Sequence, residues 1–312
     1  MNKFIVCGHA NPDTDSIASA VSCAYLLNQT GDEAVAAALG DPSEETQYAL
    51  EAFGIAAPKR IVKAADMAEE GTMLVLVDHN EAQQSLPDRS DFKIFRVIDH
   101  HRIAAFETVD PLYYRAEPVG CTCTILYKMF NEQGVTIPRE IAGLMLSAII
   151  SDTLLLKSPT TTPEDEAAVV ALSAIAGVDA DIYGLDLLKA GADLSKKTVE
   201  ELLTMDAKSF PMGEKKVRIA QVNTVDANDV LNRRAEVESL MQKACDEEGY
   251  SLFMFLVTNI LTNDSTAMVL GTENAKVEAA FGVPVQDRLV ELKGVVSRKK
   301  QIVPSLTKAF EG

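Results

Sequence analysis

The chain has little that would place it in a membrane and little with which to hold a long polyanion. None of its 312 residues form an apolar stretch long enough to span a bilayer; the longest candidates, such as 141–150, have the length of a buried helix. No signal-peptide pattern precedes the first strand-like segment, so a cytoplasmic location is expected. Only five cysteines occur, an odd number with no CxxC pair, which argues against a disulfide framework or a cysteine-ligated zinc. Cys121 and Cys123 read as packing residues. Positive charge is scarce: 29 Lys and Arg stand against 46 Asp and Glu, for a net charge of −17. That opposes nonspecific binding to long nucleic acid, whose affinity comes largely from cations on phosphates. It does not oppose a small anion, because bound metals can reverse the field of an acidic pocket. There is no internal repeat and no low-complexity tract. The remaining composition, 47% hydrophobic and 24% charged, is that of a globular protein, and the length favours about two domains.

Histidine is scarce too, but its placement is informative. The four histidines fall in three acidic clusters, each closing an apolar run. Phe4-Ile5-Val6-Cys7-Gly8-His9 runs into Asn11-Pro12-Asp13-Thr14-Asp15. Leu74-Val75-Leu76-Val77 is followed by Asp78-His79-Asn80, and Phe95-Arg96-Val97-Ile98 by Asp99-His100-His101. Imidazole beside carboxylate suits a borderline-hard divalent metal.

The first half alternates strand patterns (3–8, 34–39, 61–62, 73–77, 93–98) with helical ones (15–29, 43–53), Ser43 being the expected cap of the second helix. Such alternation implies an α/β fold, a parallel sheet with helices on both faces. Helices are expected over 138–150 and 163–175. A small-residue stretch at 190–195 is the expected linker. It divides a catalytic domain of residues 1–190 from a smaller α/β domain of 196–312, with the linker proper at 191–195. In the second domain, strands are expected at 216–222, 251–257 and 266–270, and helices at 227–245 and 274–280.

In open parallel sheets, ligands bind beyond the carboxyl ends of the strands. His9, Asp13, Asp15, Asp78, Asp99, His100 and His101 all fall at or just after such ends, so three adjacent strands could aim them at one point. Ser151-Asp152-Thr153 adds a carboxylate after the apolar helix. Two histidines and four aspartates suit two octahedral ions better than one tetrahedral zinc. A paired-metal site with a bridging hydroxide is a standard means of in-line attack on phosphorus. The basic run Ser297-Arg298-Lys299-Lys300, with Lys208, could clamp an anion. His79 reads as structural or supporting, and Asp99 as a group that orients an imidazole.

Together these motifs resemble the DHH phosphoesterase superfamily. With the C-terminal basic run, the chain resembles the family II, manganese-dependent inorganic pyrophosphatases over essentially its whole length. The resemblance implies two α/β domains with the active site between them, assembled as a homodimer. It implies that His9, Asp13 and Asp78 hold one Mn2+ or Co2+ ion and that Asp15, Asp78, His100 and Asp152 hold the second, with Asp78 bridging. It implies further that His101 supports protonation of the departing phosphate, that Lys208, Arg298 and Lys299 grip phosphate oxygens, that Asn80 supports the site, and that Mg2+ accompanies the substrate. Pyrophosphate hydrolysis is then the expected reaction. Two rivals stay open: an exopolyphosphatase, and a DHH phosphodiesterase acting on short oligonucleotides. The second usually carries a glycine-rich GGGH-type motif, and no histidine follows His101.

Overall fold

The computed structural model describes residues 2–103, 106–192 and 194–311; the side chains of Lys299 and Lys300, and all of Asp193, lie outside the described residues. The chain forms two compact units, Met1–Gly191 and Ala192–Gly312. The first contains β1 (Lys3–Cys7), α1 (Thr14–Gln29), β2 (Glu33–Ala38), α2 (Glu44–Phe53), β3 (Lys59–Arg60), β4 (Thr72–Val77), β5 (Ile94–Asp99) and β6 (Tyr113–Ala116). It continues through α3 (Thr122–Glu132), α4 (Arg139–Thr153), α5 (Pro163–Ala176) and α6 (Ala180–Gly191).

Its six strands pair in the order β3-β2-β1-β4-β5-β6, every pair parallel. The chain runs outward from β1 to β3, then returns to the far side of β1 for β4. The order therefore reverses between β1 and β4, the position at which open parallel sheets bind ligands. β1, β4 and β5, whose ends carry the histidine clusters, are adjacent as the sequence predicts. Helical segments cover both faces of the sheet. The α-helices α1 and α3 pack on it directly. The face carrying Ile5, Cys7, Leu74 and Leu76 is covered by short 3-10 turns and loops through Ala64, Leu86 and Phe92.

Local chemistry fixes the loop that leaves β1. A Cβ at Gly8 would stand 2.0 Å from Ser16 Oγ and 2.7 Å from the Ser16 carbonyl, so only glycine lets β1 meet α1 this closely. Asp13 caps α1 by accepting from Ser16 N at 2.9 Å. Ser43 caps α2 as expected. Buried side chains surround α4 on nearly every side, because it packs against α1, α2, α3 and α5. It also runs three residues further than the periodicity predicts, so Ser151 and Asp152 sit in its last turn rather than beyond it.

The second unit contains α7 (Val199–Thr204), β7 (Ala207–Met212), β8 (Lys215–Thr224), α8 (Asn228–Leu231), α9 (Arg234–Glu248) and β9 (Leu252–Asn259). After these come β10 (Asp264–Gly271), α10 (Asn274–Phe281), β11 (Leu289–Leu292), a π-helical turn at Arg298–Ile302 and α11 (Val303–Glu311). The strand order is β11-β10-β9-β8-β7, antiparallel except for the parallel pair β8–β9. Val199, Leu202, Val237 and Met241 of α7 and α9 cover one face through Phe253 and Phe255. Val277 and Leu306 of α10 and α11 cover the other through Met254 and Leu256.

Three expectations need correction. The short strand expected at 61–62 lies at Lys59–Arg60, where it pairs with the end of β2. The helix expected over 227–245 is broken in two: Arg233 leaves the helical path and its guanidinium donates to the Lys197 carbonyl at 2.5 Å. The expected linker begins inside α6, which continues through Gly191.

Candidate metal centre and anion clamp

The six expected metal ligands, and His101 with them, converge at the carboxyl ends of β1, β4 and β5. Asp78 is the hub. Its carboxylate is 1% exposed and faces both ways: Oδ2 lies 3.4 Å from His9 Nε2, and Oδ1 lies 3.4 Å from His100 Nε2. Asp13 Oδ2 stands 3.4 Å from His9 Nε2, and Asp152 Oδ2 stands 3.8 Å from His100 Nε2. Among the described residues, metal-binding spacing is shared by His9–Asp13–Asp78, Asp15–His100–Asp152, Asp78–His100–His101 and Asp15–Cys121–Cys123.

Two observations test whether the donors suit divalent ions. First, the imidazoles are turned correctly. His9 Nδ1 donates to the Ala10 carbonyl at 2.9 Å and His100 Nδ1 to the Val119 carbonyl at 3.1 Å. Each Nε2 therefore faces the carboxylates, the orientation that metal-ligating histidines take. Second, Asp78 Oδ2 is buried without a hydrogen-bond partner. An orphaned carboxylate oxygen is costly unless a cation meets it. The donor set thus fits two hard or borderline divalent ions.

The electrostatics agree. Burial opposes charge on His9, but the Asp13 and Asp78 carboxylates outweigh it and push its imidazole up to about 11. Burial likewise opposes charge on His100, which Asp78 and Asp15 lift to about 9. Burial pushes the Asp15 carboxyl up to about 6, aided by the Asp78 charge, and raises Asp152 well above the carboxylate range. Burial works against ionised Asp78 as well, yet His100 and His9 hold its carboxyl well below the usual range. Protons fill this cluster where cations could.

The backbone is strained around the same point. Asp78 adopts φ 59° and Asn11 φ 54°, and the chain leaving α4 passes through left-handed Leu154, Leu155 and Leu156.

Asp99 orients His101 rather than His100. Its Oδ1 accepts from both the backbone N–H and Nδ1 of His101 at 3.0 Å. Asn80 Nδ2 donates to the other Asp99 oxygen at 2.7 Å, which gives Asn80 its supporting place. This contact with Asp99 raises the His101 pKa. His79 is 2% exposed, donates from Nδ1 to the Val77 carbonyl, and belongs to none of the described metal-spaced groups. Burial lowers its pKa.

Sequence reasoning missed Glu45. Its Oε1 accepts from Thr14 Oγ1 at 2.6 Å and from Ser151 Oγ at 2.5 Å, tying α1, α2 and α4 together next to Asp15 and Asp152. It missed Thr122 too, whose hydroxyl donates to Asp78 Oδ1 at 3.1 Å. Neither lies in a pattern that sequence alone would single out.

The candidate clamp belongs to the second unit. Lys208 is exposed on β7. Arg298 begins the π-helical turn, and its side chain is only 10% exposed. Its guanidinium binds the Asp206 carboxylate at 2.7 Å and the Asp206 carbonyl at 2.5 Å, two residues before Lys208. Gln221 accepts from Arg298 N at 3.1 Å and donates to the Val296 carbonyl at 2.9 Å, pinning the turn to β8. Lys299, the third expected cation, has its side chain outside the described residues.

Residues 3–149 match the DHH family, N-terminal domain, and residues 185–309 match the DHHA2 domain. The manganese-dependent inorganic pyrophosphatase of Bacillus subtilis is 57% identical over 310 residues, covering 99% of each chain. A relative from Enterococcus faecalis, described as a candidate enzyme of the same kind, is 58% identical over 310 residues, covering 99% of this chain and all of its own. A crystal structure from Methanococcus jannaschii, described as a candidate family II inorganic pyrophosphatase, superimposes with a TM-score of 0.63 at 39% identity, covering 99% of this chain and 100% of its own. An exopolyphosphatase-related protein of Bacteroides fragilis shares the fold at 13% identity, with a TM-score of 0.54 over 99% of this chain and 92% of its own. With Asp78 set between His9 and His100 and this likeness over the full length, the chain belongs to the family II, manganese-dependent inorganic pyrophosphatases.

Proposed function

We infer that the chain hydrolyses inorganic pyrophosphate to two orthophosphates. The observation that carries this reading is the buried Asp78 carboxylate, set between His9 and His100 in a chain that matches pyrophosphatases from end to end. His9, Asp13 and Asp78 would hold one Mn2+ ion; Asp15, Asp78, His100 and Asp152 would hold the second, with Co2+ able to substitute. Such ions neutralise charge on phosphate oxygens and make coordinated water more acidic.

The chain's own groups do the rest. Asp99 accepts the Nδ1–H hydrogen bond of His101 and raises its pKa, which favours the imidazolium whose Nε2–H can pass to the departing phosphate, leaving neutral His101. Lys208, Arg298 and Lys299, with Mg2+ arriving on the substrate, grip phosphate oxygens and offset the charge that builds up on them. The same reading places the enzyme in the cytoplasm as a homodimer built through the first unit, where β6 forms a free sheet edge. Among the described residues, no single helix is long and apolar enough to cross a membrane.

The test is phosphate release by metal-stripped protein reconstituted with Mn2+ in the presence of Mg2+. Fast release from pyrophosphate, with polyphosphate and dinucleotides poor, is expected. Cleavage of long polyphosphate but not of pyrophosphate would keep the metal centre and replace the substrate.

A further inference from the structure

A bridging carboxylate has to aim its two oxygens at two different ions, and a free carboxylate rotates about its last torsion. Among the described contacts of Asp78, the one hydroxyl is that of Thr122, bound to Oδ1 at 3.1 Å, while Oδ2 accepts no hydrogen bond. This hydroxyl therefore holds the carboxylate plane against rotation, with one oxygen toward His100 and the other facing His9.

Thr122 opens α3, and the segment around it holds three expected ligands at once. Its backbone N–H donates to Asp15 Oδ2 at 2.7 Å, and Cys123 N–H donates to Asp15 Oδ1 at 3.2 Å. The Val119 carbonyl accepts from His100 Nδ1. Residues 119–123 thus position Asp15, Asp78 and His100 together.

That segment is itself anchored by a buried carboxylate from another helix. Asp165, fully buried at the start of α5, accepts from Gly120 N at 2.9 Å, Thr124 Oγ1 at 2.6 Å, Thr162 N at 2.8 Å and Thr162 Oγ1 at 2.7 Å. Gly120 is pressed against this anchor: a Cβ there would lie 2.8 Å from Asp165 Oδ2 and 2.7 Å from Thr153 Cγ2. An anchor this fully satisfied holds its turn in one arrangement.

We propose that Thr122 is the positioning residue that sets Asp78 as the bridge between the two metal groups, and that Asp165 is the anchor that holds Thr122 in place. The proposal rests on the metal reading given above and extends it to residues outside the ligand set.

The test measures Mn2+ uptake by equilibrium dialysis, independently of turnover. Thr122→Val keeps the shape and removes the donor; Thr122→Ser keeps the donor. Loss of a partner that orients a metal ligand typically weakens metal affinity about 10- to 100-fold. Thr122→Val should lose Mn2+ affinity by that factor while its far-ultraviolet circular dichroism matches the parent, and Thr122→Ser should stay near the parent. Asp165→Asn, which lacks the full set of acceptors, should shift uptake in the same direction; if it fails to fold, the Thr122 pair decides. Parental affinity in Thr122→Val overturns the positioning role. So does an equal loss in Thr122→Ser, which would point to packing rather than the hydroxyl. A parent that takes up fewer than two ions sinks this proposal and the dinuclear reading together, whereas a two-ion parent that fails to cleave pyrophosphate sinks only the substrate.

Discussion

The two units prepare their candidate functional side chains to different degrees. In the first, ligands are fixed before any ion arrives: Asp78 is 1% exposed, and His9 and His100 are each held by a carbonyl on the far side of the ring. Asp13, with a side chain 55% exposed, is the exception. In the second, Lys208 is exposed, whereas Arg298 is only 10% exposed and is steadied by a half-exposed acid, Asp206. The difference follows from the chemistry required. Coordination tolerates little error in direction, so its ligands are buried and braced. Neutralising phosphate oxygens, the role proposed for the second unit, needs charge more than angle, so an exposed Lys208 would suffice, with the held Arg298 adding a planar fork.

The sharpest way to break this comparison is to remove its hub. Asp78→Ala should abolish both metal uptake and pyrophosphate hydrolysis, a loss beyond the roughly 100-fold that follows from losing an orienting partner. Near-normal turnover would remove Asp78 from the bridging role. Arg298→Ala should cost about 10²- to 10³-fold in kcat/KM, the usual effect of deleting one group that stabilises developing charge. Its Mn2+ uptake should be unchanged, and a variant that loses metal would show that the two units do not divide the work in this way.

How much of this was legible in the sequence follows the same division between buried and exposed. β1, β4 and β5 are central strands whose apolar runs stop at a polar cluster, and each ends where the sequence places its ligands. The strands that sequence reasoning displaced or overlooked are β3, β6, β7 and β11, which are the four edges of the two sheets. Edge strands bury less, so their sequences carry a weaker apolar signal; Pro211 in β7 is tolerated for the same reason. Lys208 was found by motif without its strand. Thr122, Asp165 and Glu45 escaped notice because a small polar or acidic residue in a helix has no periodic signature. Their importance appears only when tertiary packing brings α2, α3, α4 and α5 against the metal ligands.

The raised pKa values give a further test confined to the first unit. In metal-free protein the neighbouring carboxylates push His9 up to about 11 and His100 up to about 9, and burial pushes Asp15 up to about 6. Metal ligands must be deprotonated, so an ion has to expel these protons when it binds. Mn2+ uptake should therefore tighten from pH 6 toward pH 11, by about tenfold per pH unit for each proton released, with His9 alone still holding a proton above pH 9. For folding without metal the sign is reversed. His100 has a folded pKa above its ordinary 6.5, so its stabilisation is complete below pH 6.5 and is lost as pH rises through about 9. The melting temperature of metal-free protein should fall across that window while the gap to the Mn2+-loaded protein widens. A gap independent of pH would remove His100 from the ligand set.

The smallest expected effect belongs to Asp206, and it separates two roles that the geometry allows. Its carboxylate both orients Arg298 and places a negative charge beside a group meant for an anion. Asp206→Asn keeps the shape and the carbonyl that accepts from Arg298, and removes only the charge. If the charge chiefly opposes the substrate, KM for pyrophosphate should fall by about 3- to 10-fold at low salt, as expected for deleting one like charge a few ångströms away in a partly exposed site. The gain should shrink as ionic strength rises, because the pair is half in solvent and screened. A rise in KM instead would mean that Asp206 matters chiefly for aiming the guanidinium, so that the second unit, like the first, braces its key side chain in advance.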